Sequence, residues 1–232
     1  MKITFIGTGN MGCKSRGNPG VLIDDLLIDM GCGTIKQLGR LDIETKNIYY
    51  ILISHFHPDH FGDMAHYLIT RYVRGEIKNT IKIIGPIGLE KRLKDLLLVE
   101  ENRLELLEGT EIIELKENIE ANIDGYKIKP IPLSHGRIKP TYGYIIEKDN
   151  KRIGYTCDTT VCDNFEEICK NVDYLIGDAN NITTNTNHMG LNDFTKYAKK
   201  YNNCKFYAIH RGDYEDRNEY VNFPEDGDVL II

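Results

Sequence analysis

The chain has 232 residues, 41% of them hydrophobic, which fits one large domain over residues 1–232 with a substantial core. Its formal net charge of −6 argues against broad electrostatic capture of nucleic acid. No apolar run approaches the roughly 20 residues needed to cross a bilayer, so a soluble protein without a membrane partner is expected. The six cysteines form no C-x-x-C pair and the start of the chain lacks a signal-peptide core, which predicts free thiols in a reducing cytoplasm.

A glycine-rich loop over residues 7–20 follows the first predicted strand. Within this loop the letters GTGNMG spell G-x-G-x-x-G, and Asp29 lies about where a ribose-binding acid would stand in a dinucleotide site. That site needs a helix directly after its last glycine, but residues 15–20 contain two more glycines, a proline and no helical period. A nicotinamide-dependent oxidoreductase is therefore disfavoured.

The rest of the chain alternates short apolar runs with helical periods. In the first half the pattern predicts a hairpin over 21–31, a short helix over 33–41, a strand over 49–53, an amphipathic helix over 61–73, a strand over 81–85 and a helix from Pro86 to about Val99. In the second half it predicts strands over 111–116, 126–135, 141–149, 151–159, 172–178, 205–210 and 228–232, with helices from about Cys162 and over 192–201. This order indicates an α+β fold of two sheets, each covered by helices on its outer side.

The segment SHFHPDHFGD, residues 54–63, carries the strongest chemical signal. It places His55, His57, Asp59 and His60 on one turn after a buried strand. Imidazole nitrogen and carboxylate oxygen suit zinc, iron and manganese. Alternation along an extended chain points the first two histidines to one side, where they can share an ion, and leaves the other two residues for a second ion.

Three later strand ends also carry a ligand-type residue, namely His135, Asp158 and His210. Singly, each of these is more often a turn or capping residue. Together with the first cluster they supply the six or seven protein ligands that a pair of ions needs. His66, by contrast, is expected on the surface of a helix.

The sequence resembles the metallo-β-lactamase-fold hydrolases, and within them the branch of the tRNA 3′-end nuclease RNase Z and related phosphodiesterases. The H-x-H-x-D-H motif is specific for the fold. The matching segments are Gly7-Thr8-Gly9, Arg16, residues 26–38, residues 54–63, Ser134-His135, Asp158, His188, His210 and residues 226–232. The resemblance implies a four-layer αββα sandwich.

The resemblance also implies the roles of the ligands. The first metal would be held by His55, His57 and His135, the second by Asp59, His60 and His210, with Asp158 bridging them. Asp29 would support a ligating imidazole, or else be a turn residue at the hairpin end. Two divalent ions are expected, zinc first, with manganese or iron as alternatives.

Two further residues are implied near the reaction itself. His188 matches a histidine close to the leaving oxygen, with helix N-terminal structure as its alternative role, and Asp178 stands where the nuclease has a supporting glutamate. Asp59 would orient the attacking hydroxide and His188 would donate a proton. Arg16, Arg137 and Lys139 are candidates for holding phosphate charge, with a solvated loop charge as the equal alternative.

The expected function is that of a dinuclear hydrolase that uses a metal-bridging hydroxide, most simply a phosphodiesterase for a small phosphodiester or short nucleotide. Long RNA is disfavoured because a compact hairpin joins His135 to Asp158, where many RNase Z proteins carry a tRNA-gripping arm. The alternatives are hydrolysis of a lactone, thioester or β-lactam, tRNA 3′ processing, and a non-catalytic binding role. The oligomeric state, including a homodimer, stays open.

Overall fold

The computed structural model describes residues 1–232 and contains two seven-stranded mixed sheets. The strands are β1 (Lys2–Gly7), β2 (Gly20–Ile23), β3 (Leu26–Ile28), β4 (Tyr50–Leu52), β5 (Ile81–Pro86), β6 (Thr110–Leu115), β7 (Ala121–Ile123), β8 (Tyr126–Pro132), β9 (Tyr142–Lys148), β10 (Lys151–Tyr155), β11 (Tyr174–Asp178), β12 (Lys205–Ile209), β13 (Val221–Asn222) and β14 (Val229–Ile231). The first sheet has the order β14-β1-β2-β3-β4-β5-β6 and the second the order β13-β12-β11-β10-β9-β8-β7.

Six α-helices cover the sheets on their outer sides. They are α1 (Thr34–Arg40), α2 (Pro58–Phe61), α3 (Met64–Val73), α4 (Leu89–Glu100), α5 (Asp163–Lys170) and α6 (Leu191–Lys200). Since side chains alternate along a strand, β1 directs Ile3 and Phe5 toward the second sheet and Ile6 toward the helices of the first sheet. The predicted αββα sandwich is therefore confirmed. No helix combines the length and apolar character that a membrane crossing requires.

The predicted hairpins are confirmed. Asp24 has a φ of 52° at the turn between β2 and β3, and Asp149 and Asn150 have φ values of 50° and 59° between β9 and β10. Such left-handed positions favour Asp and Asn, whose short side chains tolerate them. The loop from Gly7 to Gly20 contains no helix, so the dinucleotide requirement is not met. All six cysteines are free thiols.

Several boundaries differ from the sequence prediction. Pro86 does not begin a helix but ends β5, pairing with Leu115, and α4 starts at Leu89 after Gly88 turns the chain at a φ of 95°. The predicted helix over 61–73 begins instead at Met64 as α3, because Phe61 ends the separate one-turn helix α2 that Pro58 starts. Strand β6 belongs to the first sheet although it lies among the second-half strands, and the short strands β7 and β13 were not predicted.

Candidate metal centre

The ligand turn follows β4, at the edge where strands from both sheets end. His55 lies in the extended chain beyond β4, and His57 occupies the residue before α2, with Pro58 as the first residue of that helix. The single turn of α2 then carries Asp59 and His60 into the interior. Proline suits this position because its fixed φ is helical and it has no N–H to leave unpaired.

The three distant ligand candidates converge on this turn. His135 follows β8, Asp158 follows β10 and His210 follows β12. His135 Nε2 lies 3.2 Å from His57 Nδ1, and His210 Nε2 lies 3.3 Å from Asp59 Oδ2. The structure thus brings together all seven residues predicted as metal ligands; their role as ligands stays a prediction.

Asp158 separates the candidates into two sets. Its Oδ1 atom lies 3.1 Å from His60 Nε2 and 3.3 Å from His210 Nε2. Its Oδ2 atom lies 3.7 Å from His135 Nε2 and 3.9 Å from His55 Nε2. The donor atoms within each set lie within 4.8 Å of one another. Each oxygen of this carboxylate therefore faces a different group of ligands, as a residue shared by two ions would.

Unpaired polar atoms at the centre test whether ions fit there. The buried side-chain atoms without a hydrogen-bond partner include His55 Nε2, Asp59 Oδ1, His60 Nε2 and Asp158 Oδ1. Leaving a buried polar atom unpaired costs roughly 1–3 kcal/mol, more if it is charged, so several at one point need a common partner. Two divalent cations would accept these lone pairs, and an imidazole and carboxylate set is one that zinc takes. The residues present therefore fit two ions.

Further residues hold the rings of the predicted ligands in place. The Asp29 carboxylate lies 2.7 Å from His60 Nδ1 and accepts hydrogen bonds from the Ser54 backbone, the Ser54 hydroxyl and the Tyr155 hydroxyl. His135 Nδ1 donates to the carbonyl of Asn187 at 2.8 Å. Because each Nδ1 has a fixed partner, Nε2 is left to face the centre. Asp29 thus contacts a predicted ligand ring, and its supporting role stays a prediction.

Sequence reasoning does not identify four residues that contact the rings or Asp29, namely Ser54, Tyr155, Asn180 and Asn187. The side-chain amide of Asn180 lies 3.1 Å from His210 Nδ1. Asn180 and Asn187 stand close to Asp178 and His188, so a polar run after a strand was their only signal. Tyr155 had none, since it reads as an ordinary apolar strand residue.

Of the residues predicted to act on substrate, some lie at the cavity over the predicted ligands and others lie away from it. His188 Nδ1 lies 3.1 Å from Asp178 Oδ2, and His188 lines a cavity of about 250 Å³ over the ligands together with Asn10 and Met11. Arg16 and Arg137 do not line this cavity. Arg16 instead donates to the carbonyl of Gly212 at 2.7 Å, and Arg137 is exposed. His66 is exposed on α3, as expected.

Comparison with known proteins places the chain in a family. Residues 1–229 match the family model described as "Anti-Pycsar protein Apyc1". The chain belongs to this family. Among curated relatives, ribonuclease Z of Mycobacterium bovis (strain BCG / Pasteur 1173P2) is 24% identical over 193 residues, which cover 76% of this chain and 69% of that protein.

Solved structures show the same fold. The metallo-β-lactamase fold protein YhfI from Bacillus subtilis superposes with a TM-score of 0.80 at 20% identity and covers 99% of this chain and 98% of its own. A diphosphatase from the PhnP family gives a TM-score of 0.80 at 21% identity, covering 100% of this chain and 97% of its own. The predicted metallo-β-lactamase fold is confirmed, and the fold and relatives are those of metal-dependent hydrolases.

The carboxylates of the centre favour a proton on a neighbouring histidine, at a position where a cation would bind. Burial opposes charge on His210, but the carboxylates of Asp158, Asp178 and Asp59 outweigh it and raise the pKa of His210 to about 10. Burial also opposes charge on Asp59 and by itself would raise its pKa, but the hydrogen bond from His210 and the nearby His60 lower the pKa to about 2. Burial and the neighbouring imidazoles hold the pKa of His55 well below its usual value.

Metal loading is therefore expected to release protons at pH 7 to 8. His210 with a pKa of about 10 is still protonated there and must lose its proton to ligate, whereas Asp59 with a pKa of about 2 is already ionised and releases none. Apparent metal affinity should consequently rise with pH up to about pH 10. Calorimetric titration of apoprotein with zinc, in two buffers of different ionisation enthalpy, measures the released protons. Identical heats in both buffers would contradict the expectation.

Asp29→Asn is expected to weaken metal binding by roughly 10- to 100-fold, because an amide cannot hold the His60 ring as firmly as a carboxylate does. Tyr155→Phe removes one hydrogen bond to the same carboxylate and should have a smaller effect in the same direction. Competition with a chromophoric chelator measures both affinities. Wild-type affinity in Asp29→Asn would show that the contact is only structural.

Proposed function

We propose that the protein is a dinuclear metal-dependent phosphodiesterase acting on a small phosphodiester or a nucleic-acid-derived substrate. The main support is Asp158, whose two oxygens lie toward separate sets of histidines. Zinc is the proposed metal because imidazole and carboxylate donors dominate both sets, and manganese or iron are the alternatives. Bound divalent ions would supply Lewis acidity, lower the pKa of a water molecule and offset the charge of a phosphate.

Asp59 is proposed to orient the attacking water. Its Oδ2 atom lies 3.3 Å from His210 Nε2, while its Oδ1 atom is buried and has no hydrogen-bond partner. Because the pKa of this carboxyl is lowered to about 2, both oxygens are hydrogen-bond acceptors at neutral pH. One oxygen could therefore ligate a metal ion while the other accepts a hydrogen bond from the water, which would direct the lone pair of the water oxygen at phosphorus.

His188 is proposed to protonate the leaving oxygen. Asp178, fully buried, lies 3.1 Å from its Nδ1 atom, and this contact fixes the orientation of the ring. The opposite nitrogen is then free to donate a proton. The side chain of His188 is 21% exposed and lines the cavity over the ligands, so it can reach a substrate bound there.

The size of the substrate is proposed from the short hairpin. Strands β9 and β10 are joined by the two-residue turn of Asp149 and Asn150, so nothing projects between His135 and Asp158 that could grip the body of a tRNA. RNA cleavage is the second candidate, and the ribonuclease Z relative supports it. Hydrolysis of a lactone, thioester or β-lactam uses the same centre and is the third.

One experiment separates these candidates. Metal content by elemental analysis is combined with turnover of chromogenic phosphodiesters, pre-tRNA, lactones, thioesters and a β-lactam. We expect bound metal and phosphodiester turnover that His57→Ala abolishes, while His66→Ala, which changes an exposed histidine of α3, retains both. Failure of the metal-loaded protein to cleave any phosphodiester would end the proposal, and cleavage of pre-tRNA in preference to small diesters would favour the second candidate.

A further inference from the structure

A second, larger cavity lies directly beside the metal centre. Its volume is about 730 Å³, against about 250 Å³ for the cavity over the ligands, and no residue predicted to ligate metal lines it except His135. The His135 side is therefore common to both cavities. Because His135 lines both cavities, an ester group of a ligand bound over the metal centre would enter the larger cavity by extending past this residue. We call this larger cavity the His135 cleft.

One wall of the His135 cleft is apolar and preformed. Leu133, Ile138 and Ile87 contribute apolar side chains to it, and Ile87 is 54% exposed. The loop that carries Ile138 is held by its own hydrogen bonds, since the Ile138 amide donates to the His135 carbonyl at 3.0 Å and Thr141 Oγ1 donates to the Ile138 carbonyl at 3.1 Å. A ligand would therefore find this surface already in place, at little cost in conformational entropy.

The charges around the His135 cleft disfavour an anion. Glu117 and Asp163 line it, against the single cation Lys139, and all three residues are exposed. Asn164, which also lines the cleft, already donates its side-chain amide to the Pro132 carbonyl at 2.7 Å. A further phosphate would meet two carboxylates and one ammonium group, whereas an uncharged group with apolar surface would meet the isoleucine and leucine side chains.

We infer that the His135 cleft binds an uncharged organic group of the substrate, with Ile87, Ile138 and the two carboxylates selecting diesters of neutral, apolar groups over polyanionic chains. This inference rests on the proposed function, because the cleft meets the metal centre only at His135. It narrows the substrate class, since a nucleic acid strand would carry its next phosphate toward Glu117 and Asp163. Neither carboxylate nor Ile87 belongs to the ligand sets.

Binding of symmetric phosphodiesters to the metal-loaded protein tests the cleft without relying on turnover. Dimethyl and dibenzyl phosphate carry the same charge, and because both ester groups are identical, the result does not depend on which one enters the cleft. We expect dibenzyl phosphate to bind at least about tenfold more tightly. Ile87→Ser should remove most of that preference and leave dimethyl phosphate unaffected, while Val99→Ser, at an exposed site on α4, should change neither.

The charge selection is tested with bis(4-carboxybenzyl) phosphate. It should bind more weakly than dibenzyl phosphate, and the double variant Glu117→Gln, Asp163→Asn should reduce the difference. Equal affinities for dimethyl and dibenzyl phosphate, or a preference that survives both Ile87→Ser and Ile138→Ala, would overturn the inference and leave the proposed function standing. If neither diester binds the metal-loaded protein, both the inference and the phosphodiesterase assignment fail.

Discussion

Asp158→Asn is expected to lower phosphodiester turnover by at least roughly 10³-fold and to reduce bound metal from about two ions per chain to one or none. Both oxygens of this carboxylate face histidine nitrogens, one set on each side. An amide has the same shape but only one oxygen, no charge and an NH₂ group that would face a cation. The residue is only 1% exposed, so no solvent replaces the lost ligand. Elemental analysis and turnover measure the two effects on one preparation.

The matched control is Asp149→Asn in the turn between β9 and β10. Its φ of 50° is one that asparagine also tolerates, and it lies at the far end of the hairpin from Asp158. We expect wild-type metal content and turnover from this control. An Asp158→Asn protein that retains both ions would mean that the carboxylate does not bridge them, and the dinuclear assignment would have to be abandoned.

His188→Ala is expected to lower kcat by about 10²- to 10⁴-fold for diesters with a poor, alkoxide-like leaving group. A leaving group such as p-nitrophenolate departs without protonation, so turnover of its ester should fall far less. A structural role would reduce both rates equally. Measuring both substrates with one variant therefore separates a proton donor from a residue that only packs against its neighbours.

Metal content decides the remaining alternative for His188. A third group of donor atoms, formed by Asp158, Asp178, His188 and His210, also lies within 4.8 Å. If His188 were a ligand, His188→Ala would lose metal, and the loss of turnover would no longer depend on the leaving group. We expect unchanged metal content, because His188 Nδ1 is already engaged by Asp178 at 3.1 Å.

Local physics explains which elements could be predicted. The hairpin turns at Asp24 and at Asp149-Asn150 follow from residues that tolerate a positive φ, and the ligand turn follows from four donors packed behind a strand. The start of α4 could not be predicted in this way. Proline usually favours the first turn of a helix, but Pro86 is held in the sheet by its pairing with Leu115 on β6, a contact far away in sequence.

The surroundings of the metal centre also could not be predicted from local sequence. Tyr155 becomes part of the centre only because β10 lies where its hydroxyl reaches Asp29, 126 positions earlier in the chain. Arg16, a candidate phosphate ligand in the sequence, is directed elsewhere by the Gly212 carbonyl. Neither outcome has a signature in neighbouring residues, since each depends on which segments the sheets bring together.

Residue chemistry and short-range spacing were enough to predict a two-sheet sandwich, a pair of metal sites and the seven side chains that would form them. Those features depend on strand periodicity and on donor groups placed at strand ends, and both are written locally in the chain. The partition of the donors around Asp158 came from the family resemblance and not from local spacing, and the partners that orient each imidazole and the cavity next to His135 depended on long-range packing. They depend on how the two sheets stack, because the stacking brings together residues that lie far apart in the sequence.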